Sequence, residues 1–515
     1  MSATASILPL RNRILKFLAG VFLLGLLGFN LAKPINFTAV DIGRHIKNGE
    51  LLLQGHTDIL YKNFYSFTCP EYPFLNHHWL FGVMAYIVWK LFDFSGLSFF
   101  YIAVLLFAFI LFFRAAQRLS GFFYAFCFAV LSIPLSADRI EIRPEGISLL
   151  FLGLYFFYLV RWRLGDIDRS LLFIVLPLAQ LVWVNTHIFF FMGPLLTAIF
   201  LWDGILQHKS RDYLKVLQKL LMIVLLVNLI NPSGIWGALT PLNIFKEFGY
   251  RLAENQMVFF MMKRFPGTPA YPYFLVMAGL LMVMAGLAAV RNGFKRYLPF
   301  FVLMALVVCA AIKAVRLISP FGFFFIPLGA WFLNQFAQTL RDQSQQILRA
   351  LFLIVIIGVA VWQMQGVKNI GVGLAPGINR SAEFFKQEGL KGPVFSNYDI
   401  GGYLIYHLQG QEKVFVDNRQ EAFPPEFFKK TYVPMQEDDE VWHKEDNGYN
   451  FNVIYFYRHD FTPWGQSFMI RRIDDPLWAP VFVDGYVIIF LKRNEINLPL
   501  IKHFELPRSM FSVTR

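Results

Sequence analysis

The stretch WLFGVMAYIVWKLF, residues 79–92, decides how this chain is threaded. It is apolar enough to cross a bilayer, but it is short, and Lys90 and Asp93 close it. A crossing helix needs roughly 17–25 apolar residues. Charge arbitrates. If the stretch does not cross, the clusters Arg114/Arg118, Arg161/Arg163/Arg169, Lys209/Arg211/Lys215/Lys219, Arg291/Lys295/Arg296 and Arg341/Arg349 all share a side with Arg11, Arg13 and Lys16. That side is cytoplasmic by the positive-inside rule. If it crosses, every one of those clusters moves outside. The stretch is therefore predicted to be an interfacial or re-entrant helix lying against the outer face.

The rest of the chain agrees with a membrane reading. Of 515 residues 56% are hydrophobic and only 16% charged, against roughly 25% charged in ordinary globular proteins. This composition excludes disorder, coiled coils and secreted disulfide scaffolds. The net charge of +13 sits mostly in short loops between apolar runs, which argues for topology and not for nucleic acid. The three cysteines form no metal spacing. Candidate spans are residues 14–32, 95–113, 121–137, 146–160, 171–184, 189–206, 214–230, 271–290, 297–312, 317–336 and 350–364, about eleven in all. The first follows basic residues as in a signal peptide, but it is long and lacks a small-x-small cleavage site, so it reads as an uncleaved anchor.

The expected fold class is thus a polytopic α-helical membrane protein with a C-terminal extracytoplasmic α/β domain. Residues 1–366 form the membrane domain, with outer loops 33–94, 138–145, 231–270 and 313–316. Residues 367–515 form the soluble domain. In that tail, 393–397, 413–416 and 452–457 read as strands, and 402–408 and 425–432 as helices. Residues 481–491 read as a hairpin around Asp484-Gly485, giving a partly parallel sheet. The acidic run 437–440 reads as a solvated loop.

The spans hold almost no ionisable groups, whereas ion-coupled transporters and pumps usually place them near the midplane. Charge collects at outer helix ends instead, which favours a cleft at the outer surface. The first outer loop is the richest: Asp41-Ile-Gly-Arg-His45, Ser66-Phe67-Thr68 and Asn76-His77-His78-Trp79-Leu80. Asp41, Arg44 and His45 are spaced to share one helical face or adjacent faces. Such a carboxylate can act as general base or bind a metal. The alternative is an interfacial helix with its polar side in water. His77, His78 and His187 can position or deprotonate an acceptor near neutral pH, while Asn185 and His187 serve equally well as helix caps. Asp138, Glu141 and Glu145 form an acidic group or a helix-end charge cluster. Asp166-Ile167-Asp168 reads as a solvated cytoplasmic loop. Asp399, Asp417 and Arg419 stand at strand ends, as binding groups or as a buried ion pair.

The order of these features resembles the GT-C superfamily of membrane glycosyltransferases, which includes protein O-mannosyltransferases, the lipid A aminoarabinose transferase and oligosaccharyltransferases. In that superfamily an acid shortly after the first span is the hallmark, and Asp41 matches it. The chain is closer still to bacterial members with D-x-x-x-H-x-x-x-G, S-F-T and H-x-W-L patterns, here Asp41 to Gly49, Ser66 to Thr68 and His77 to Leu80. Arg143-Pro144-Glu145, Trp183-Val-Asn185-Thr-His187, Asn231-Pro-Ser-Gly234, Gly401-Gly402-Tyr403-Leu404 and Val416-Asp417-Asn418-Arg419 match further steps. It departs at Arg44, where many relatives carry an aromatic, and in lacking an obvious second acidic motif, for which Asp138, Glu141 and Glu145 are the candidates.

The resemblance implies transfer of a hexose or pentose from a polyprenyl-phosphate donor to a lipid, glycan or protein acceptor on the outer face of the inner (cytoplasmic) membrane. The N-terminus would be cytoplasmic and the tail extracytoplasmic. Asp41 would activate the acceptor, assisted by His45. Lys313, Arg316, Arg143 and Arg139 would neutralise the lipid phosphate, a role that suits guanidinium forks; snorkelling to membrane lipid headgroups is the alternative. A divalent metal held by Asp41, His45 and His77 is conceivable, its identity unknown, and no other cofactor is implied. Two readings of other classes remain: a lipid or solute transporter or flippase, and a non-catalytic membrane scaffold with an outer binding domain.

Overall fold

The computed structural model describes residues 3–243, 246–366 and 369–511. The expected start of the tail at residue 367 lies outside the described residues. The chain runs through α1 (Ala3–Leu31), α2 (Ile42–Leu53), α3 (Trp79–Ser136), α4 (Glu145–Leu164), α5 (Arg169–Val184), α6 (Met192–Leu206) and α7 (Arg211–Val227). Short α8 (Gly234–Leu239) and α9 (Val258–Arg264) precede α10 (Ala270–Asn292), α11 (Leu298–Lys313), α12 (Ile318–Ala337) and α13 (Asp342–Gly366). Among the described residues eight helical stretches are long and apolar enough to cross a membrane. This is a multi-pass membrane fold, and each expected span overlaps one of these helical stretches or the shorter α5 and α7, those at 14–32, 121–137 and 214–230 running one to three residues past the helix end.

The deciding stretch is resolved by its far end. The 58-residue α3 is broken at Asp93 (φ 56°) and at Gly121 (φ 80°). Residues 79–92 are therefore a helix of their own, and two expected spans follow on either side of Gly121. Asp93 holds a backbone conformation rare for a side-chain-bearing residue. The first segment lies against α2, where a Cβ on Gly49 would collide with the Gly82 backbone. α12, buried along nearly its whole length, runs through the centre of the bundle and packs chiefly on α3.

The tail contains α14 (Arg380–Gln387), α15 (Gly401–Leu408), α16 (Pro434–Glu437), α17 (Asp439–Tyr449) and α18 (Gly465–Asp474) around a four-stranded sheet. The strands are β1 (Val394–Ser396), β2 (Val453–Tyr457), β3 (Trp478–Val483) and β4 (Val487–Lys492), in the order β1-β2-β4-β3. β1 pairs parallel to β2, and the other pairs are antiparallel. The expected hairpin forms: Asp484 Oδ1 accepts from the backbone N–H of Tyr486 (2.7 Å) and Val487 (2.8 Å), closing the turn.

Two expectations are corrected. Residues 413–416 are not a strand of this sheet. Their backbone pairs instead with the loop after α2, Val414 donating to Tyr65 and accepting from Phe67, so the segment fastens the tail to that loop. The acidic run 437–440 is not a free loop either. Asp438 caps α17 by accepting from Glu440 N–H (2.7 Å), and Asp439 accepts from Arg471 (3.0 Å) and Arg472 (2.5 Å).

Candidate active site

Asp41 immediately precedes α2, and two glycines set where that helix lies. A Cβ on Gly43 would stand 2.5 Å from the carbonyl oxygen of Gly402 in α15, and Gly49 faces α3. α2 is thereby pressed between the bundle and the tail, and the glycines of the D-x-x-x-H-x-x-x-G stretch and of Gly401-Gly402 are explained by close approach. The approach brings Asn418 to Asp41, its Nδ2 donating to Oδ1 at 2.5 Å. Arg44, buried behind them, donates to Asn418 Oδ1 (3.2 Å) and lies 3.8 Å from Asp41 Oδ2. Asn418 is itself bracketed by a buried pair: Arg419 Nε and Nη2 donate to the two oxygens of Asp417 at 2.8 and 2.5 Å. Of the two readings of Asp417 and Arg419, the ion pair is what forms.

Beside Asp41 four imidazoles gather. Ring centroids are 5.8 Å apart for His45 and His78, 3.9 Å for His77 and His78, and 5.4 Å for His78 and His187. Trp183 Nε1, a donor only, gives its hydrogen to Ser148 Oγ at 2.7 Å. Ser148 Oγ shares a second hydrogen bond, 2.7 Å long, with His187 Nδ1. Burial lowers the pKa of all four, His77 to about 4 and the others well below the ordinary 6.5. The sign follows from linkage: between the depressed folded value and 6.5 the unfolded chain binds the extra protons. Stability is therefore lost as pH falls below 6.5, by about 1.4 kcal/mol per pH unit for each ring that stays neutral. Thermal unfolding in nanodiscs between pH 7.5 and 4.5 checks this, and His187→Gln is expected to flatten the slope relative to wild type.

Opposite the histidines lies a charged cluster. Arg139 and Arg143 from the 138–145 loop and Arg316 from the 313–316 turn surround Glu254. Arg143 Nη1 donates to its Oε2 at 2.6 Å and Arg139 Nη2 at 3.0 Å; Arg316 Nη1 is 3.6 Å from Oε1. Glu145 is 3.4 Å from Arg139 and 3.9 Å from Arg316. Burial alone would raise the Glu254 pKa, but Arg143, Arg139 and Arg316 outweigh it and hold the carboxyl well below its ordinary range.

One cavity of about 410 Å³ joins these groups. Asp41, Arg44, His45, His77, His78, Arg143, Glu145, His187, Glu254, Arg316 and Asn418 all line it. A second cavity of about 480 Å³ is walled by apolar residues of α6, α11 and α12, including Leu195, Val307 and Phe324. The two share Arg316, Lys246, Phe248, Leu252, Asn255 and Gln420 as a common wall. Most expected site residues thus meet. Lys313 faces the apolar cavity and not the polar one. Arg139 borders a side recess with Glu145 and Arg316. Asp138 and Glu141 wall neither cavity: burial raises the Asp138 pKa to about 6, and Glu141 stands 3.6 Å from Arg139.

Several expected groups prove structural. Asn185 accepts from Trp79 Nε1 at 3.0 Å and donates to Ile230 O at 3.0 Å, tying three helix ends together. Asp168 caps α5, and Asp166 pairs with Arg118 at 3.4 Å. Asp399 lies near the site, its pKa raised to about 7 by burial, Asp460 and Asp41. The Asp41, His45 and His77 donors do not converge. Asp41 is engaged by Asn418 and Arg44, and among the described residues no three His, Cys, Asp or Glu side chains are placed to hold a metal ion.

Glu254 and Lys246 had no motif to announce them; Glu254 is simply one of two acids in the 231–270 loop. Asn418 sat within a quoted motif, but nothing local pointed it at Asp41.

Taken together, the bundle and the appended α/β tail form a fold that recurs among known structures. Two solved structures share it. The arabinofuranosyltransferase AftD from Mycobacteria superposes with a TM-score of 0.52 at 12% identity, over 94% of this chain and 40% of that one. ArnT from Cupriavidus metallidurans in the apo state gives the same score and identity over 98% of this chain and 100% of that one. This chain spans well under half the length of AftD. No protein-family model matches the sequence, and no curated protein does.

Proposed function

We propose that the protein is an integral-membrane glycosyltransferase that moves a sugar from a polyprenyl-phosphate donor to an acceptor on the outer face of the inner membrane. The observation that carries this reading is the shared wall: Asp41 and Arg316 border one polar cavity, and Arg316 also borders the apolar cavity beside it. The prenyl chain would occupy the apolar cavity, and its phosphate would meet Arg316 and Arg143, with Lys313 and Lys246 adding charge at the chain's entry. The acceptor hydroxyl attacks the sugar's anomeric carbon. As the new carbon–oxygen bond forms, the bond to the phosphate oxygen breaks and the phosphate leaves with the electron pair. The hydroxyl proton passes to Asp41 Oδ2, since Oδ1 is already held by Asn418. The charge building on the leaving phosphate is met by guanidiniums fixed before reaction, so little reorganisation is needed. Neutral His45 and His187 orient the acceptor, each offering a ring N–H or lone pair at neutral pH. Because the donors at Asp41 do not converge, no step is routed through a metal.

The test uses the full chain in nanodiscs with radiolabelled polyprenyl-phosphate pentose and hexose donors and a membrane-lipid acceptor extract. A new glycosidic product is expected. Specific donor binding with no product would favour the scaffold reading, and label that changes leaflet without a new bond would favour the flippase.

A further inference from the structure

Glu254 stands among three guanidiniums, yet it does not satisfy them. The buried Nε atoms of Arg139, Arg143 and Arg316 each lack a hydrogen-bond partner. A carboxylate offers two oxygens in one plane; here Oε2 accepts from both Arg139 and Arg143, and Oε1 stops 3.6 Å short of Arg316. A phosphate offers oxygens on a tetrahedron and can reach donors that a planar group leaves over. Unmet buried donors are costly, so the arginine set is matched to an anion with more acceptor capacity than the one it holds. The segment that delivers Glu254 is also the partition between the two cavities, since Lys246, Phe248, Leu252 and Asn255 line both. It is braced by Tyr250, stacked on Tyr398 of the tail at 4.4 Å, and by Gln256 O, which accepts from Val315 N–H at 3.1 Å beside Arg316.

We propose that Glu254 is a resident counter-ion occupying the position of a phosphate group, and that the incoming phosphate displaces it from Arg139, Arg143 and Arg316. This rests on the reading that those arginines receive a donor phosphate. The exchange has a chemical use. Transfer converts a phosphodiester with one negative charge into a phosphomonoester with up to two, which three arginines hold more tightly. A carboxylate that returns to them competes with that product and speeds its release.

The experiment measures equilibrium binding of two probes, inorganic phosphate and undecaprenyl phosphate, to full-length wild type, Glu254→Gln, Glu254→Asp and Glu141→Gln in nanodiscs. Thermal unfolding midpoints establish that each variant is folded. Removing a competitor that occupies the site most of the time raises apparent affinity by the reciprocal of the open fraction. Glu254→Gln is therefore expected to bind phosphate at least about tenfold tighter, and Glu254→Asp, with its shorter reach, to gain part of that. Glu141→Gln removes one negative charge from the same cluster without vacating the position, and is expected to gain no more than about threefold. A gain with undecaprenyl phosphate alone assigns the site to a lipid headgroup; a gain with both, or with inorganic phosphate alone, assigns it to phosphate as such. Unchanged or weaker binding in Glu254→Gln overturns the proposal, because Glu254 would then be organising the arginines for the anion. So does an equal gain in Glu141→Gln, which would reduce the effect to bulk charge. Failure of wild type to transfer sugar would remove the reaction and leave these binding outcomes readable.

Discussion

Asp41→Asn is expected to lower sugar transfer by about 10²- to 10⁴-fold, the usual worth of a positioned general base, while leaving the fold intact. The substitution is nearly isosteric. Asn418 Nδ2, which now donates to Asp41 Oδ1, can donate equally to an amide oxygen, and Arg44 keeps its contact with Asn418. What disappears is the anionic Oδ2 that would take the acceptor proton. The side chain is about one-fifth exposed and its nearest cation is 3.8 Å away, so little folding energy depends on its charge. The loss should fall on kcat, with donor KM nearly unchanged, since the arginines proposed to meet the phosphate form their own cluster on Glu254. Initial rates and unfolding midpoints of the same nanodisc preparations check both halves. Turnover within tenfold of wild type would remove Asp41 from the chemistry and leave it a polar group at the start of α2.

The contrast between Asp41 and Glu254 shows where sequence reading reaches and where it stops. Spans, the α3 break region and the Asp484-Gly485 hairpin were legible because they depend on local periodicity, charge and turn chemistry. Asp41 stands out in the sequence by its place after the first expected span, and Arg316 by its charge in the short 313–316 turn; the structure brings both to one cavity. Glu254 shares a carboxylate with many solvated loop residues. Only the fold brings it, from a loop without periodicity, to arginines separated from it by as many as 115 residues. Residues 413–416 failed for the opposite reason. Their alternation is that of a strand, but the partner that claims their backbone is a single extended stretch of the loop after α2 and not the sheet. The same long-range pairing makes the tail part of the site, since Asn418 reaches across 377 positions to Asp41.

That dependence makes Asp417→Ala the most damaging single change expected in the tail. Asp417 and Arg419 are fully buried, with side-chain exposures of 0% and 1%. Arg419 also donates to Asn63 of the loop after α2 at 2.9 Å and lies over the rings of Phe74 and Tyr65, its carbon 4.7 and 5.3 Å from their centroids. Removing the carboxylate strands a guanidinium away from water, and breaking a buried pair in this way costs about 3–5 kcal/mol. The cost belongs to the orphaned charge and not to the pair as such. The double replacement Asp417→Leu with Arg419→Met is therefore expected to recover most of the stability, because it removes both charges and keeps the volume. Function should not recover with it. Asp417 Oδ1 also accepts from Arg419 N–H at 3.1 Å, shaping the turn that aims Asn418 at Asp41, and the double variant lacks that anchor. Thermal unfolding of the two variants, with transfer measured below their midpoints, separates the two roles. A double variant as unstable as Asp417→Ala would show that the interaction with Asn63 and its loop, not the buried charge, holds the tail in place.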